Sequence, residues 1–529
     1  MRNFCREKDT QTGAVLPMFI MLQFSSFHFL FTVLLFLLLL VMLTKKTKAK
    51  NLVSKLPPGP QKLPIIGNLH QLAGSLPYYS LRDLAKKYGP IMHLHLGEVS
   101  AIVISSPEAA REVLKTHELV FAQRPEVLAI QLISYDHPGL IFSPYGNYWR
   151  QMRKICVYEL LSAKRVGFFR SVREEEVCSL VESISSSHEL PINLSKMIFS
   201  LTNIVISRTA FGKKSRGQDE FKPLLKELIK YSAGFHTPDL FPSVKFLSLL
   251  IGMKPALQRI HKKLNKILDD IINDHKMKIK SNFTSNEEPD GEDLVDVLLR
   301  LQESSALGFE ITTDHIKIVI LDIFIAGTET AATTLEWAMA ELMRNPKIME
   351  RAQDEVRQVL GRNTRISENN IQKLDYLKSV VKETLRLHPP LPLVPRESRE
   401  KCVIEGFEIP SKTRILVNAW ALGRDPEHWM NSDCFWPERF LSSSIDFKGT
   451  NFEFIPFGAG RRICPGISFG LANVELALAQ LLYHFDWELP DGIKPAELDM
   501  TETFGVTCKI RNDLYLLATP FVPFLNKEH

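Results

Sequence analysis

From Phe24 to Leu43 almost every position is apolar, and the character then reverses at once into the lysine-rich run KKTKAK. Twenty such residues in a helix cross the ~30 Å of a bilayer's hydrocarbon, so the pattern predicts a transmembrane helix over 24–44 behind a leader, 1–23. Lysines on its C-terminal side keep the following chain cytoplasmic. The competing reading, a cleaved secretory signal, fits less well: the run exceeds the usual apolar region and lacks a small-residue cleavage site. Met21 is a second possible start. Residues 45–68 combine the lysines with LPPGPQKLPIIGN, whose prolines and glycines predict a stiff, non-helical hinge before a body at 69–529.

Along the body the period of the pattern changes. IMHLHLG and SAIVISS alternate or run apolar between glycine and serine and read as a strand pair. SPEAAREVLKTH opens a helix, with Ser106 as N-cap and Pro107 at the first helical position. From Tyr148 to about Leu360 the period is helical, interrupted by the loop HTPDLFPS and by an acidic linker at Ser281–Asp293. Strand-like pieces return only at RILVNA and DLYLLATP. The fold class is therefore mainly α, with a small β region split between the two ends of the body.

One helix stands apart. The segment from Thr312 to the stop at Pro346 is apolar nearly all round in its first half, so it is expected to pass through the core. Its middle nevertheless holds Gly327, Thr328, Glu329, Thr330, Thr333 and Thr334, and glycine costs about 1 kcal/mol in a helix interior relative to alanine. A tolerated glycine beside solvent-facing threonines is one reading. The other is a locally distorted helix that aims an acid and an alcohol into a buried pocket.

Composition narrows the classes. The 529 residues are 45% hydrophobic and 24% charged, with a net charge of +5, part of which is the lysine cluster, so nucleic acid is not an expected partner. Seven widely spaced cysteines without a Cys-x-x-Cys argue against a disulfide framework and a zinc motif and fit a reducing compartment. One of them, Cys464, lies in FGAGRRICPG, a loop too rich in glycine for regular structure.

FGAGRRICPG matches the Phe-x-x-Gly-x-Arg-x-Cys-x-Gly signature of the cytochrome P-450 haem-thiolate monooxygenases, and WRQMR (149–153), AGTET (326–330), ETLR (383–386) and PERF (437–440) follow the family's order. The resemblance runs from the proline hinge to the carboxyl terminus and implies the cytochrome P-450 fold. It implies haem, with Cys464 as the axial thiolate ligand of iron. Gly458, Gly460 and Gly466 let backbone N–H groups turn toward the sulfur, and a helix from about Ile467 presents its positive end there. Phe457 belongs to the same cofactor loop. Trp149, Arg153, Arg396 and Arg462 resemble the clamp on the haem propionates, a task for which arginine's planar fork is suited. Glu383, Arg386 and Arg439 resemble a buried structural ion network, and Glu329 with Thr330 resemble the acid–alcohol pair that relays protons in oxygen activation. Ala331 stands where a second hydroxyl residue is frequent.

What the resemblance implies is a monooxygenase that inserts one atom of O2 into a hydrophobic small molecule, anchored in the endoplasmic reticulum membrane by a single pass. No dinucleotide or flavin fingerprint accompanies the haem motifs, so electrons from NADPH would come through a separate NADPH–cytochrome reductase. A reductase-independent haem-thiolate isomerase or dehydratase, or a non-catalytic haem sensor, would have less reason to keep Thr330. LPPGPQKLPIIGN, FAQRP and VNAWALGRDPEHW resemble the plant microsomal group that oxidises specialised metabolites, terpenoids above all, with flavonoid and alkaloid oxidases on the same framework. The expected pocket is apolar: Leu140, Phe142, Ile325, Ala326, Leu393, Val394, Phe504 and Val506. Arg150 and Lys154, rotated away from Trp149 and Arg153 on one helix, are expected on the cytoplasmic surface as a docking patch for the reductase.

Overall fold

The computed structural model describes residues 32–33 and 55–521, apart from 136–137, 188–189, 213–217, 245, 283–291, 305–308 and 362–366. The expected leader and anchor lie outside the described residues except for Thr32 and Val33. The chain divides into two units, Met1–Lys55 and Leu56–His529, and the second contains the body.

The proline-rich segment 56–68 belongs to this second unit. Pro58 accepts the His93 N–H at 2.8 Å, and the Asn68 side chain accepts the His95 N–H at 2.8 Å. Gly59 is needed there, because a Cβ would come within 2.1 Å of the His93 carbonyl oxygen. Close backbone approach thus sets this stretch against the first strand, and the hinge expected over 45–68 ends at the body's edge.

The two ends of the body meet in one sheet. Strands Ile91–Leu96 and Val99–Ile104 form the expected antiparallel pair. Val99–Ile104 then runs parallel to Arg414–Asn418, which pairs antiparallel with Leu393–Glu397. Burial on both faces explains the unbroken apolar character of Ala101 to Ile104. Further strands are short: Glu502–Phe504 with Cys508–Ile510, Cys402–Ile404 with Phe407–Ile409, and Tyr515–Pro520 between Ile192–Asn193 and Phe485–Glu488. The stretch expected as the loop HTPDLFPS holds two short helical turns, Thr237–Leu240 and Pro242–Val244, each with a proline in its first two positions.

The central helix runs from Thr313 to Arg344. Thr312 caps it by accepting the His315 N–H, and Pro346 ends it by starting the next helix. By length and composition it is apolar enough to cross a membrane, yet it lies inside the body, as expected of a core helix. It packs against Leu194–Phe211, Ile467–His484 and Asp375–Leu387. The helix is continuous through Gly327, and Thr328, Thr333 and Thr334 are buried in it, so it shows neither the local distortion nor the solvent-facing threonines of the two readings. A Cβ at Gly327 would meet Ile206 Cδ1 at 2.7 Å, so the glycine serves close packing against Leu194–Phe211.

Charged side chains buried on this helix find partners. Lys317 pairs with Asp269 at 2.6 Å, Glu341 with His388 at 2.7 Å and Glu329 with Lys509 at 2.8 Å. Ser195 donates to Glu336, and the backbone of Leu140 and Ile141 donates to Asp322. Unpaired, each would carry the cost of a desolvated charge.

Candidate active site

Phe457 to Gly466 closes over the start of the Ile467–His484 helix. Cys464 donates its N–H to the Phe457 carbonyl at 3.0 Å, while the Phe457 ring stands edge-on to Phe447. Gly458 and Gly460 have φ of 70° and 66°, the left-handed region that favours glycine. At Gly460 a Cβ would also lie 1.9 Å from the Leu114 carbonyl oxygen. The Gly466 N–H faces the Cys464 sulfur at the helix N-terminus, where the dipole favours negative charge. Burial pushes the Cys464 thiol up, opposed by that N–H and by the Arg153 guanidinium. A soft metal taking the thiolate would replace its proton.

Beside the sulfur is a group of cations without anions. On the helix Asn147–Ile155, Trp149 and Arg153 share a face one turn apart. Arg153 donates to the Ile463 carbonyl at 2.7 Å. The Trp149 ring meets two guanidinium groups, that of Arg462 4.3 Å from the ring centroid and that of Arg153 5.4 Å from it. Arg462 donates to the carbonyls of Ala122, Leu140 and Ser143, and Trp149 Nε1 donates to Leu140 as well. Arg396 donates only to its neighbour Pro395, and its Nη2 is buried with no hydrogen-bond partner. A fourth arginine, Arg124, shares the Pro395 carbonyl and donates to Ile141.

None of the four guanidinium groups is in an ion pair among the described residues. Burial drives Arg462 down to about 8, with Arg124 and Arg153 adding repulsion, and burial drives Arg124 to about 10. Arg396 is held well below the usual arginine range by burial and by the other three arginines. Such a cluster is complete only with an anion of about two charges. A haem, with two carboxylates and an iron beside Cys464, satisfies both the cations and the orphaned Arg396 Nη2.

Glu383, Arg386 and Arg439 lie together, the first two fully buried. Arg386 holds both Glu383 oxygens, at 2.8 and 2.7 Å, and Arg439 Nε reaches Oε1 at 3.0 Å. Carbonyls of Gly423, Ser432 and Cys434 take the remaining Arg386 donors, so the network is hydrogen-bonded throughout.

The central helix separates the two residues expected as a pair. Thr330 Oγ1 donates to the Ala326 carbonyl at 2.6 Å, whereas Glu329 accepts from Lys509 and from Thr507 Oγ1. Glu329 is thus held by the last hairpin and is not aimed with Thr330 into a common pocket.

The expected pocket residues divide likewise. Ala326 lies one turn before Thr330 and accepts its hydroxyl, uncovered by protein, whereas Ile325, half-buried, lies one turn before Glu329. Leu140 and Phe142 sit on the short turn Gly139–Phe142. Val394 is on the Arg396 face of its strand, near Gly458. Leu393, one residue earlier, faces the other way into a core with Leu94, Leu96 and Trp420, because strand side chains alternate. Phe504 packs against that second core, 6.0 Å from the ring of Tyr78, while Val506 packs against the main one. Leu393 is therefore a core residue. A separate polar cavity of about 290 Å³, lined by Tyr79, Arg82, Glu341, His388, Trp420 and Glu502 among others, contains none of the site residues.

Sequence reasoning missed Arg124, Asp322 and Lys509. Arg124 lay inside FAQRP and carried a signal. The other two gave none, since their partners are 182 and 180 residues away.

The model of the family described as Cytochrome P450 matches residues 57–517. Melianol synthase of Ailanthus altissima is 56% identical over 491 residues, 93% of this chain and 95% of that protein. Premnaspirodiene oxygenase of Hyoscyamus muticus is 53% identical (94% and 99%), and desmethyl-deoxy-podophyllotoxin synthase of Sinopodophyllum hexandrum is 55% identical (94% and 98%). Among solved structures, a zebra fish cytochrome P450 with abiraterone superposes with a TM-score of 0.70 at 25% identity, covering 84% of this chain and 99% of that one.

Proposed function

This chain belongs to the cytochrome P450 family and is a haem-thiolate monooxygenase, and from that premise we propose that it hydroxylates a terpenoid, drawing electrons from NADPH through a separate NADPH–cytochrome reductase. The terpenoid assignment is supported by the similarity to melianol synthase and premnaspirodiene oxygenase and by the apolar residues about the site. The similarity to desmethyl-deoxy-podophyllotoxin synthase sets the other substrate class to test. Residues 24–44 act as a single-pass anchor in the endoplasmic reticulum, supported by the length of the apolar run and the lysines after it.

The observation that carries the site assignment is the convergence of four unpaired arginines on the Cys464 loop. Haem, when bound, would supply the activation of O2, one oxygen atom entering a C–H bond of the substrate and the other leaving as water, with two electrons and two protons consumed. Cys464 would ligate the iron, its thiolate supported by the Gly466 N–H and the helix N-terminus. Arg124, Arg153, Arg396 and Arg462 would hold the propionates, with Trp149 packed against two of them. Leu140, Phe142, Ile325, Ala326, Val394 and Val506 exclude water and orient the substrate, while Thr330 and Glu329 move protons. Glu383, Arg386 and Arg439 keep the segment 423–439 fixed through its backbone carbonyls.

The test is substitution of the ligand. Cys464→Ser is expected to abolish the carbon monoxide difference spectrum of a thiolate haem and all oxygenation, with Cys402→Ser and Cys434→Ser retaining both. An unchanged spectrum in the Cys464 variant overturns the assignment. Turnover of the competent enzyme against terpenes, flavonoids, alkaloids and podophyllotoxin precursors then assigns the substrate.

A further inference from the structure

Both oxygens of Glu329 are taken by one short segment of the last hairpin. Lys509 Nζ donates to Oε1 at 2.8 Å and Thr507 Oγ1 to Oε2 at 3.2 Å. Lys509 sits on the strand Cys508–Ile510, paired antiparallel with Glu502–Phe504. The Glu329 side chain is 7% exposed and that of Lys509 34%, so the pair runs from the interior to water. Glu336, two turns along the same helix, also feels the Lys509 ammonium; it accepts from Ser195, and Asp513 is the next acidic group beyond it. The packed helix Leu194–Phe211 contributes Ser195 and the Phe199 ring, 5.9 Å from the ammonium.

Thr330 leaves the helix about 100° around the axis from Glu329. A carboxylate fixed to the hairpin does not serve the Thr330 side until it lets go. Resting on the proton-relay role just assigned to Glu329, we propose that Lys509 is a positioning residue of that relay, holding Glu329 against the hairpin and forming the solvent-facing end of the route by which protons reach Thr330.

The cycle balances in protons. Glu329 takes one from water on the Lys509 side, and the neutral carboxyl is no longer bound by the ammonium. It turns toward Thr330, gives up that proton and returns as a carboxylate to Lys509, which stays an ammonium throughout.

The test uses the full chain in membranes with reductase, after the carbon monoxide spectrum has shown the haem site intact. Lys509→Met is expected to lower product formed per NADPH roughly threefold or more, and to change its pH dependence, because the carboxylate loses the cation that holds it at the hairpin. Lys509→Arg is expected to retain the ratio and the profile. Without turnover, the thermal midpoints of Lys509→Met, Glu329→Gln and the double variant are expected to be non-additive, as for groups in contact. If Lys509→Met loses the spectrum, Lys509→Gln takes its place. Additive midpoints, or a wild-type ratio and pH profile in Lys509→Met while Glu329→Gln lowers the ratio, overturn the proposal. A failure of the functional assignment reads differently: Glu329→Gln then leaves the ratio unchanged, or the wild type shows no thiolate-haem spectrum.

Discussion

The carboxylate of Asp322 accepts the backbone N–H of Leu140, and the carbonyl of the same Leu140 accepts from Trp149 and Arg462. One residue's backbone thus joins the central helix to the arginine cluster. Burial raises the Asp322 carboxyl to about 7, opposed by the bonds from Leu140 and Ile141. The folded protein therefore binds the proton more tightly than the unfolded chain, whose carboxyl titrates near ~3.9. Its contribution to stability is complete below that value and is lost as the pH rises to about 7. Asp322→Asn is expected to flatten this part of the pH dependence. Calorimetric midpoints at acid and neutral pH check it: an equal fall in both chains shows that Asp322 does not titrate there.

Arg396→Leu is expected to act in opposite directions on the haem-free and haem-loaded protein. Without the anion it removes a buried cation that its neighbours repel, so the apoprotein's melting temperature rises. With haem it deletes a charge-assisted hydrogen bond, a loss of about 1.5–3 kcal/mol that shows as weaker haem retention. Arg124→Leu is expected to behave alike. Paired melting curves and haem transfer to an acceptor globin read both signs, and a lower apoprotein midpoint contradicts the account.

Thr330→Ala is expected to bind haem and substrate normally and to divert reduced oxygen to hydrogen peroxide, since proton delivery is misplaced. Product per NADPH consumed is the quantity to follow. An unaltered ratio assigns Thr330 to helix packing through its bond to Ala326.

Arg150 and Lys154 are both exposed on the helix whose other face carries Trp149 and Arg153. Replacing both by glutamate is expected to slow reductase-supported turnover, more so at low ionic strength, because steering between opposite charges weakens with salt. Peroxide-supported turnover, which bypasses the donor, is expected to be spared. Equal losses in the two assays mean that the pair supports the haem site instead of docking.

Much of the fold and of the site was legible because its causes are local. Thr312 and Pro346 bound the central helix through groups within one turn of each end. The glycines around Cys464 and the helix after it are one contiguous signal. Glu383 and Arg386 are neighbours by helical spacing alone.

What the sequence by itself determined, then, is everything that depends on residues a few positions apart: the helices, the cysteine loop and the family motifs. The closed chain decided the rest. It drew strands from residues 91–104 and 393–418 into one sheet and turned Leu393 and Val394 to opposite faces. It made Gly327 a packing position beneath Ile206, brought Arg124 to the other three arginines, and gave Glu329 to Lys509 instead of to Thr330. The reason is physical. Burying a charge obliges it to find a partner, and which partner lies within about 3 Å is set by how distant segments pack, not by spacing along the chain.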